Sequence, residues 1–225
     1  MKKIIIVTIL LLVTLAMLNA SAVALLSAAK GNVELRRAAK TVKYKTGDML
    51  QNNDELRTGG ESFAAYKYID GATTIKVFAN SYVQISAQKS GSTMSKNAKV
   101  STGSIYAKVT ANKGTMTVQT PTSVASVKGT GFLTKVSDFG ESKFVVMEGV
   151  VDVTVPDTKE TKAVNAGFTA EVDRDGNLEV RESTEDDLTE LERAEIESTR
   201  VTEPQSIRIP VADKNGNIRY IDINW

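Results

Sequence analysis

Between Gly31 and Val180 the apolar residues recur at alternate positions in short runs, and each run stops at Gly, Asn or Asp. Gly31-Asn32-Val33-Glu34-Leu35-Arg36 sets the pattern. Thr73-Thr74-Ile75-Lys76-Val77-Phe78 and Tyr82-Val83-Gln84-Ile85 repeat it. Between Gly59-Gly60 and Asp70-Gly71, Phe63, Ala65, Lys67 and Ile69 fall on one strand face, with Ala64, Tyr66 and Tyr68 opposite. A period of two, rich in β-branched residues and punctuated by turn formers, predicts strands. Further strands are expected over residues 104–109, 114–120, 124–136, 143–155, 168–172 and 178–180. Pro121 ends one of them because it has no N–H for a central ladder. Residues 90–97 read as a polar loop.

Asp173-Arg174-Asp175-Gly176-Asn177 reads as a hairpin turn, since Asp-Gly and Gly-Asn accept positive φ. The same residues begin like a calcium loop. The glycine comes too early for one, and position twelve is Thr184 where a bidentate Glu is required. Asp213, Asn215, Gly216 and Asn217 meet the same objection.

The period changes at Thr184. Residues 185–199 are expected to form a helix capped by Thr184, with Glu185, Asp186 and Asp187 favouring its positive end. Its apolar stripe is thin (Leu188, Leu191, Ala194, Ile196), which predicts a surface helix resting on the β body, against its lysine-rich side. Pro204 ends the connection, and residues 207–211 and 218–223 predict a terminal hairpin about Asn215-Gly216. Trp225, Ile223 and Ile221 alternate as in the closing strand of an outer-membrane barrel. Arg219 breaks that series, and the chain has no set of long alternating strands to complete a barrel. The expected fold is all-β, a twisted β-roll or β-sandwich of short strands, with one C-terminal acidic surface helix and a terminal β-hairpin. Phe63, Tyr66, Ile75, Val77, Val83, Ile85, Val118, Val127, Phe132, Val145, Val151 and Val153 are the expected core.

At the other end, Met1-Lys2-Lys3, the apolar run Ile4 to Leu18 and Ala20-Ser21-Ala22 have the three parts of a secretory signal peptide. Cleavage is expected after Ala22, with Ala22-Val23-Ala24 as a second small-x-small site. The run is short for a span of about 20 residues, so an uncleaved anchor fits less well. No stable transmembrane span is expected after cleavage. The expected organisation is a signal peptide over 1–22, an all-β domain over 23–181, an acidic helix and connection over 182–203, and a hairpin over 204–225. The expected location is the periplasm or the extracellular space.

Composition narrows the chemistry. The chain contains neither cysteine nor histidine. That removes disulfide scaffolding, Ser-His-Asp and Cys-His catalysis and ordinary zinc ligation. No cofactor, metal site or catalytic residue is expected. Residues 23–181 hold 21 basic and 16 acidic side chains, a net of +5, whereas 182–203 hold two and nine, a net of −7. No acid lies between Asp70 and Asp138, where Lys76, Lys89, Lys96, Lys99, Lys108, Lys113, Lys128 and Lys135 occur. Lysine gatekeepers on a solvated β surface explain such a run. The competing reading is a surface for an anionic partner. Nucleic acid is not expected, because arginine is scarce there and no recognition helix is present.

The punctuation resembles the periplasmic domain of the FecR family. Gly31-x-Val33-x-Leu35 resembles its opening strand. Gly47-Asp48-x-Leu50, Asn53-Asp54-Glu55-Leu56-x-Thr58-Gly59, Ser62-x-Ala64-x-Tyr66, Asp70-Gly71 and Asn80-Ser81-x-Val83-x-Ile85 resemble its first half. Gly103-Ser104-Ile105, Val118-x-Thr120-Pro121-Thr122, Val127-Lys128-Gly129-Thr130-x-Phe132, Glu148-Gly149-x-Val151-x-Val153 and Ala166-Gly167 resemble the second. Read without the family, Asp48, Asp54 and Asp70 are turn residues accepting backbone N–H bonds, and Ser62 and Ser81 do the same at strand starts.

The resemblance implies a roll, and a regulator whose periplasmic part senses an outer-membrane transporter and whose cytoplasmic end controls a sigma factor. Here only three residues precede the apolar run, so direct transmembrane signalling is not expected. The expectation is a non-catalytic envelope module, a sensor or scaffold accessory, binding an envelope protein or an anionic cell-wall polymer. One alternative is a glycan-acting enzyme using two carboxylates about 5–9.5 Å apart, drawn from Asp48, Asp54, Glu55, Glu61 and Asp70. The other is a surface structural protein that self-associates by strand-edge pairing.

Overall fold

A computed structural model of the chain describes residues 21–202, 206–212 and 218–224, with side chains described as far as residue 196. The expected signal segment up to Ala20, Pro204, the Asn215-Gly216 turn and Trp225 lie outside these residues.

The first half of the chain forms β1 (Ala22–Lys30), β2 (Val33–Arg37), β3 (Lys40–Val42), β4 (Met49–Gln51), β5 (Asp54–Thr58), β6 (Phe63–Tyr68), β7 (Thr73–Val77) and β8 (Tyr82–Ser90). A strand of 17 residues, β9 (Thr93–Val109), follows. The second half forms β10 (Thr115–Gln119), β11 (Val124–Val127), β12 (Gly131–Val136), β13 (Ser142–Glu148), β14 (Val150–Thr154), β15 (Thr161–Asn165), β16 (Phe168–Val172) and β17 (Leu178–Glu182). Helix α1 (Glu185–Thr202) and the antiparallel hairpin of β18 (Ser206–Ala212) and β19 (Ile218–Asn224) complete the order.

Backbone pairing arranges the first seventeen strands in two layers. Sheet A runs β4-β1-β6-β7-β9-β12-β13-β16-β17. Sheet B runs β3-β2-β5-β8-β9-β10-β11-β14-β15. β9 is central to both, with four strands on either side in each. Its first part, to Thr102, pairs with β8 in sheet B, and its last part, from Gly103, pairs with β12 in sheet A. The turn between layers is made by an irregularity opposite Tyr82–Val83 and by Gly103 at φ +88°. A Cβ on Gly103 would lie 2.5 Å from the Ser81 Cα, so both the conformation and the space require glycine.

The core fills the gap between the layers. Ile75, Val77, Ile105, Ala107, Phe132, Phe144 and Val146 come from sheet A, and Leu56, Val83, Ile85, Ala98, Val118, Val127, Val151 and Val153 from sheet B; all are buried. Of the expected core residues, Phe63 is only half-buried and Val145 is buried on the outer side of sheet A, not in the gap. Turn carboxylates and serines act as expected. Asp48 accepts from Lys45 N–H at 2.9 Å, Asp54 from Gln51 N–H at 2.7 Å and Asp70 from Ala72 N–H at 3.0 Å. Ser62 Oγ accepts from Asn32 N–H at 2.8 Å and Ser81 Oγ from Ser104 N–H at 2.9 Å.

Residues 90–97 are not a loop. Only Gly91 and Ser92 turn, and β9 is already paired with β8 from Thr93. Met94, Lys96 and Ala98 point inward, and Lys96 reads as polar although its stem is buried and its ammonium is matched by the Asp70 carboxylate at 2.5 Å.

Candidate functional site

Alternation on the outer side of sheet A builds a mixed surface. Cross-strand partners share a face, so Lys76, Tyr106, Leu133, Val145, Thr169 and Arg181 form one row across β7, β9, β12, β13, β16 and β17. Two residues to one side of this row lie Lys135 and Lys143, which pair with each other, and two residues to the other side lies Lys108. With strands about 4.8 Å apart, the surface presents a cation on most strands, alongside an apolar strip.

Helix α1 lies across that strip. Leu191 and Ala194 pack on Tyr106, Leu133 and Val145, with Phe78 and Met147 at the margin. Tyr106, Leu133 and Val145 are thereby buried although they face away from the main core. The carboxylates of the helix follow the cations strand by strand. Asp187 meets Arg181 at 2.7 Å and Lys143 at 3.1 Å, Glu190 meets Lys135 at 2.5 Å, and Glu195 meets Lys108 at 3.5 Å. The Tyr106 hydroxyl donates to Glu195 at 3.5 Å. Burial pushes the Tyr106 phenol up, and the charges of Glu195 and Glu148 add to it.

The helix is held unevenly. At its start, Asp187 N–H donates to Thr184 Oγ1 at 3.2 Å and Thr184 N–H donates back to the Asp187 carboxylate at 3.1 Å, a reciprocal cap. Burial alone would raise the Asp187 carboxyl. Hydrogen bonds from Arg181, Thr184 and Lys143 outweigh it and hold the group well below the usual carboxylate range. Burial would likewise lower the Lys143 ammonium, and Asp187 and Glu171 together raise it. Beyond Asp187, the Lys135–Glu190 and Lys108–Glu195 pairs are substantially exposed, and such pairs contribute about 0–1 kcal/mol each. Leu191 adds about 1.5–3 kcal/mol of burial. Leu188 and Ile196, expected to complete the stripe, are 40% and 54% exposed. A groove of about 270 Å3 lined by Phe78, Leu133, Lys135, Glu190 and Ala194 opens along the helix flank. A second, of about 500 Å3, continues from Ser104 and Lys135 to Lys143 and Glu171.

The eight lysines of the acid-free stretch divide by location. Lys76, Lys108 and Lys135 belong to the outer side of sheet A. Lys76 is 1% exposed, its ammonium 4.4 Å from the Phe63 ring centroid and 5.3 Å from that of Phe78. Lys96, at 2% exposed, bonds Asp70 and the Lys113 carbonyl. These two are corrections to the expected surface, because a buried, matched ammonium presents nothing to a partner. Lys89 and Lys113 are exposed near the β8–β9 tip, Lys99 on the outer side of sheet B, and Lys128 between β11 and β12. Lys143 and Arg181 lie beyond Asp138, outside the acid-free stretch, and only strand pairing brings them to this face.

The acids of the glycan-enzyme alternative are engaged separately. Asp54 is buried and accepts from Arg37 Nε and Nη2 at 2.8 and 2.7 Å; Asp70 holds Lys96; Glu55 faces Arg36 at 3.6 Å. Asp48 closes its turn, and Glu61 is exposed at φ +52°. Asp173 accepts from Asp175 N–H and Asn177 N–H, closing a turn as expected. Among the described residues, no three or more His, Cys, Asp or Glu side chains gather where a metal ion could be held. No helix among them is long and apolar enough to cross a membrane.

Residues 54–152 match the FecR protein family. No curated protein matches the chain. Two crystal structures of a Parabacteroides distasonis protein, provisionally described as an anti-sigma factor, are similar in fold. Each has a TM-score of 0.52 over 76% of this chain and 84% of that one, at 14% and 15% identity.

Proposed function

We propose that the chain is an exported, non-catalytic module of the cell envelope that binds a partner protein. The observation that carries this reading is the FecR match over residues 54–152, a segment that includes the central strand of both sheets. The description of the similar structures as an anti-sigma factor adds support for a protein partner. The outer side of sheet A supplies a surface of the right character, cations from Lys108, Lys135, Lys143 and Arg181 around an apolar strip. Lys89, Lys99, Lys113 and Lys128 are further exposed cations for an anionic face. In this reading residues 1–22 are a leader, 23–181 the FecR-like body, 182–203 a regulatory helix and connection, and 204–225 a hairpin. Cleavage after Ala22 leaves buried Val23 and Ala24 in β1, whereas cleavage after Ala24 would remove both. The first site is therefore the preferred one.

The test is photo-crosslinking of the mature protein in native envelopes, with bound protein and bound glycan analysed separately. Capture of one protein at near-stoichiometric yield is the expected result. Recovery of cell-wall polymer without protein would replace the protein partner with wall recognition. Recovery of neither would bring glycan hydrolysis and self-assembly forward.

A further inference from the structure

The covered face of sheet A offers more than its own helix uses. Of its described side chains, helix α1 buries the apolar Leu191 and Ala194 there, leaves Leu188 and Ile196 outside, and leaves a groove beside Phe78 and Leu133 unfilled. Its attachment is concentrated at one end, in the Thr184–Asp187 cap and the Arg181 and Lys143 contacts. The connection from β17 is only Ser183-Thr184, so the helix start is fixed, while the rest is retained by Leu191, Ala194 and the exposed pairs of Glu190 and Glu195.

We infer that the outer side of sheet A is a docking site for an acidic amphipathic helix of a partner protein, and that α1 is its intramolecular stand-in. This rests on the protein-binding reading above. The site specifies its occupant through its own geometry. Carboxylates at i, i+3 and i+8 meet Lys143 with Arg181, Lys135 and Lys108, and small or medium apolar residues at i+4 and i+7 meet Tyr106, Leu133 and Val145. Asp187, Glu190, Glu195, Leu191 and Ala194 occupy these positions. A partner helix with the same spacing and a bulkier apolar residue toward Phe78 would fill the unused groove. Because α1 holds the face, the affinity for a partner is reduced by the fraction of molecules in which α1 is seated. Weakening α1 therefore strengthens binding in trans.

The test uses the purified mature chain and a fluorescein-labelled synthetic peptide with the sequence of residues 184–202, followed by anisotropy at two salt concentrations. Two variants loosen the helix independently, the pair Glu190→Lys with Glu195→Lys, and Leu191→Asp. Backbone amide exchange verifies that α1 is released while the strands stay protected. Both variants are expected to bind the peptide at least tenfold more tightly than the parent, with affinity falling as salt rises. Adding Lys108→Glu and Lys135→Glu to the first pair restores the internal contacts with reversed charges and should abolish the gain. If α1 is released and the peptide still binds no better than to the parent, the face is not a helix-docking site. If the loosened variants dimerise by sedimentation and refuse the peptide, the occupant is a second copy of this chain and the partner assignment fails. The experiment needs no envelope component, so its failure is separable from a failed crosslinking capture.

Discussion

Sheets A and B share a central strand and one interior, yet their outer sides are in opposite states. In sheet B, β10 and β14 bury every second residue, as does β8 as far as Ser86. In sheet A, β12 buries four residues in succession and β13 three. The cause is α1, which turns the outer row of Tyr106, Leu133 and Val145 into a second, smaller core. A strand wet on one side needs only half its residues to be apolar, whereas a strand covered on both sides needs a continuous run. The difference separates a layer that is wet on its outer side from one that α1 covers on its outer side.

Substitutions on the two sides of one strand test that division most strongly. Phe132→Ala removes a ring from the shared interior and should cost about 3–5 kcal/mol in urea unfolding, with every strand affected. Leu133→Ala, on the next residue and the opposite side, should cost about 2 kcal/mol. Amide exchange should then accelerate in α1 while β10 and β11 keep their protection. Equal and global effects at both positions would mean that α1 is part of the main cooperative unit. Asp187→Asn should cost about 1 kcal/mol by weakening the cap, read as faster exchange in the first helical turns.

The charge of Asp187 also sets a pH window. Its folded-state value lies below the unfolded value near 4. Its stabilisation is therefore complete above that range and lost as pH falls through the folded-state value. Helix protection should stay level from pH 7 to about 4 and decline only below, and Asp187→Asn should remove that part of the decline. The smallest effect belongs to sheet B. Ser126→Ala on its exposed side should change stability by less than about 0.5 kcal/mol.

Much of this architecture was readable from the residues. Alternation located many strands of the body but not β1, β3, β4, β5, β15 or the first part of β9; Thr184 with the acids after it located the helix, and the Gly and Asp turns fell where φ or backbone N–H groups require them. Division into two sheets was not readable, because local pattern says that a strand exists and not which neighbour it joins. Lys96 was hidden for a related reason. A lysine in a polar stretch looks solvated until the fold brings the Asp70 carboxylate to it. The candidate face was half visible. Phe132-Leu133 and Phe144-Val145-Val146-Met147 break strict alternation, which signals burial on both sides, but Val145 was assigned to the interior. Lys143 and Arg181 join Lys108 and Lys135 only through sheet pairing, a relation absent from linear spacing.

β9 carries a consequence for the order in which the molecule can be assembled. When the chain emerges from its N-terminus, β1 to β8 can associate with β9 as soon as it appears. β9 then still waits for β10 in one layer and β12 in the other. Until residues 115–136 arrive, a 17-residue strand has one edge open along both parts of its length. Open edges of that length recruit other chains. Folding as the chain emerges thus has a vulnerable interval at mid-chain, which closes when the second half seals the seam. A substitution that slows that sealing would lower the yield of folded protein without altering any contact on its finished surface.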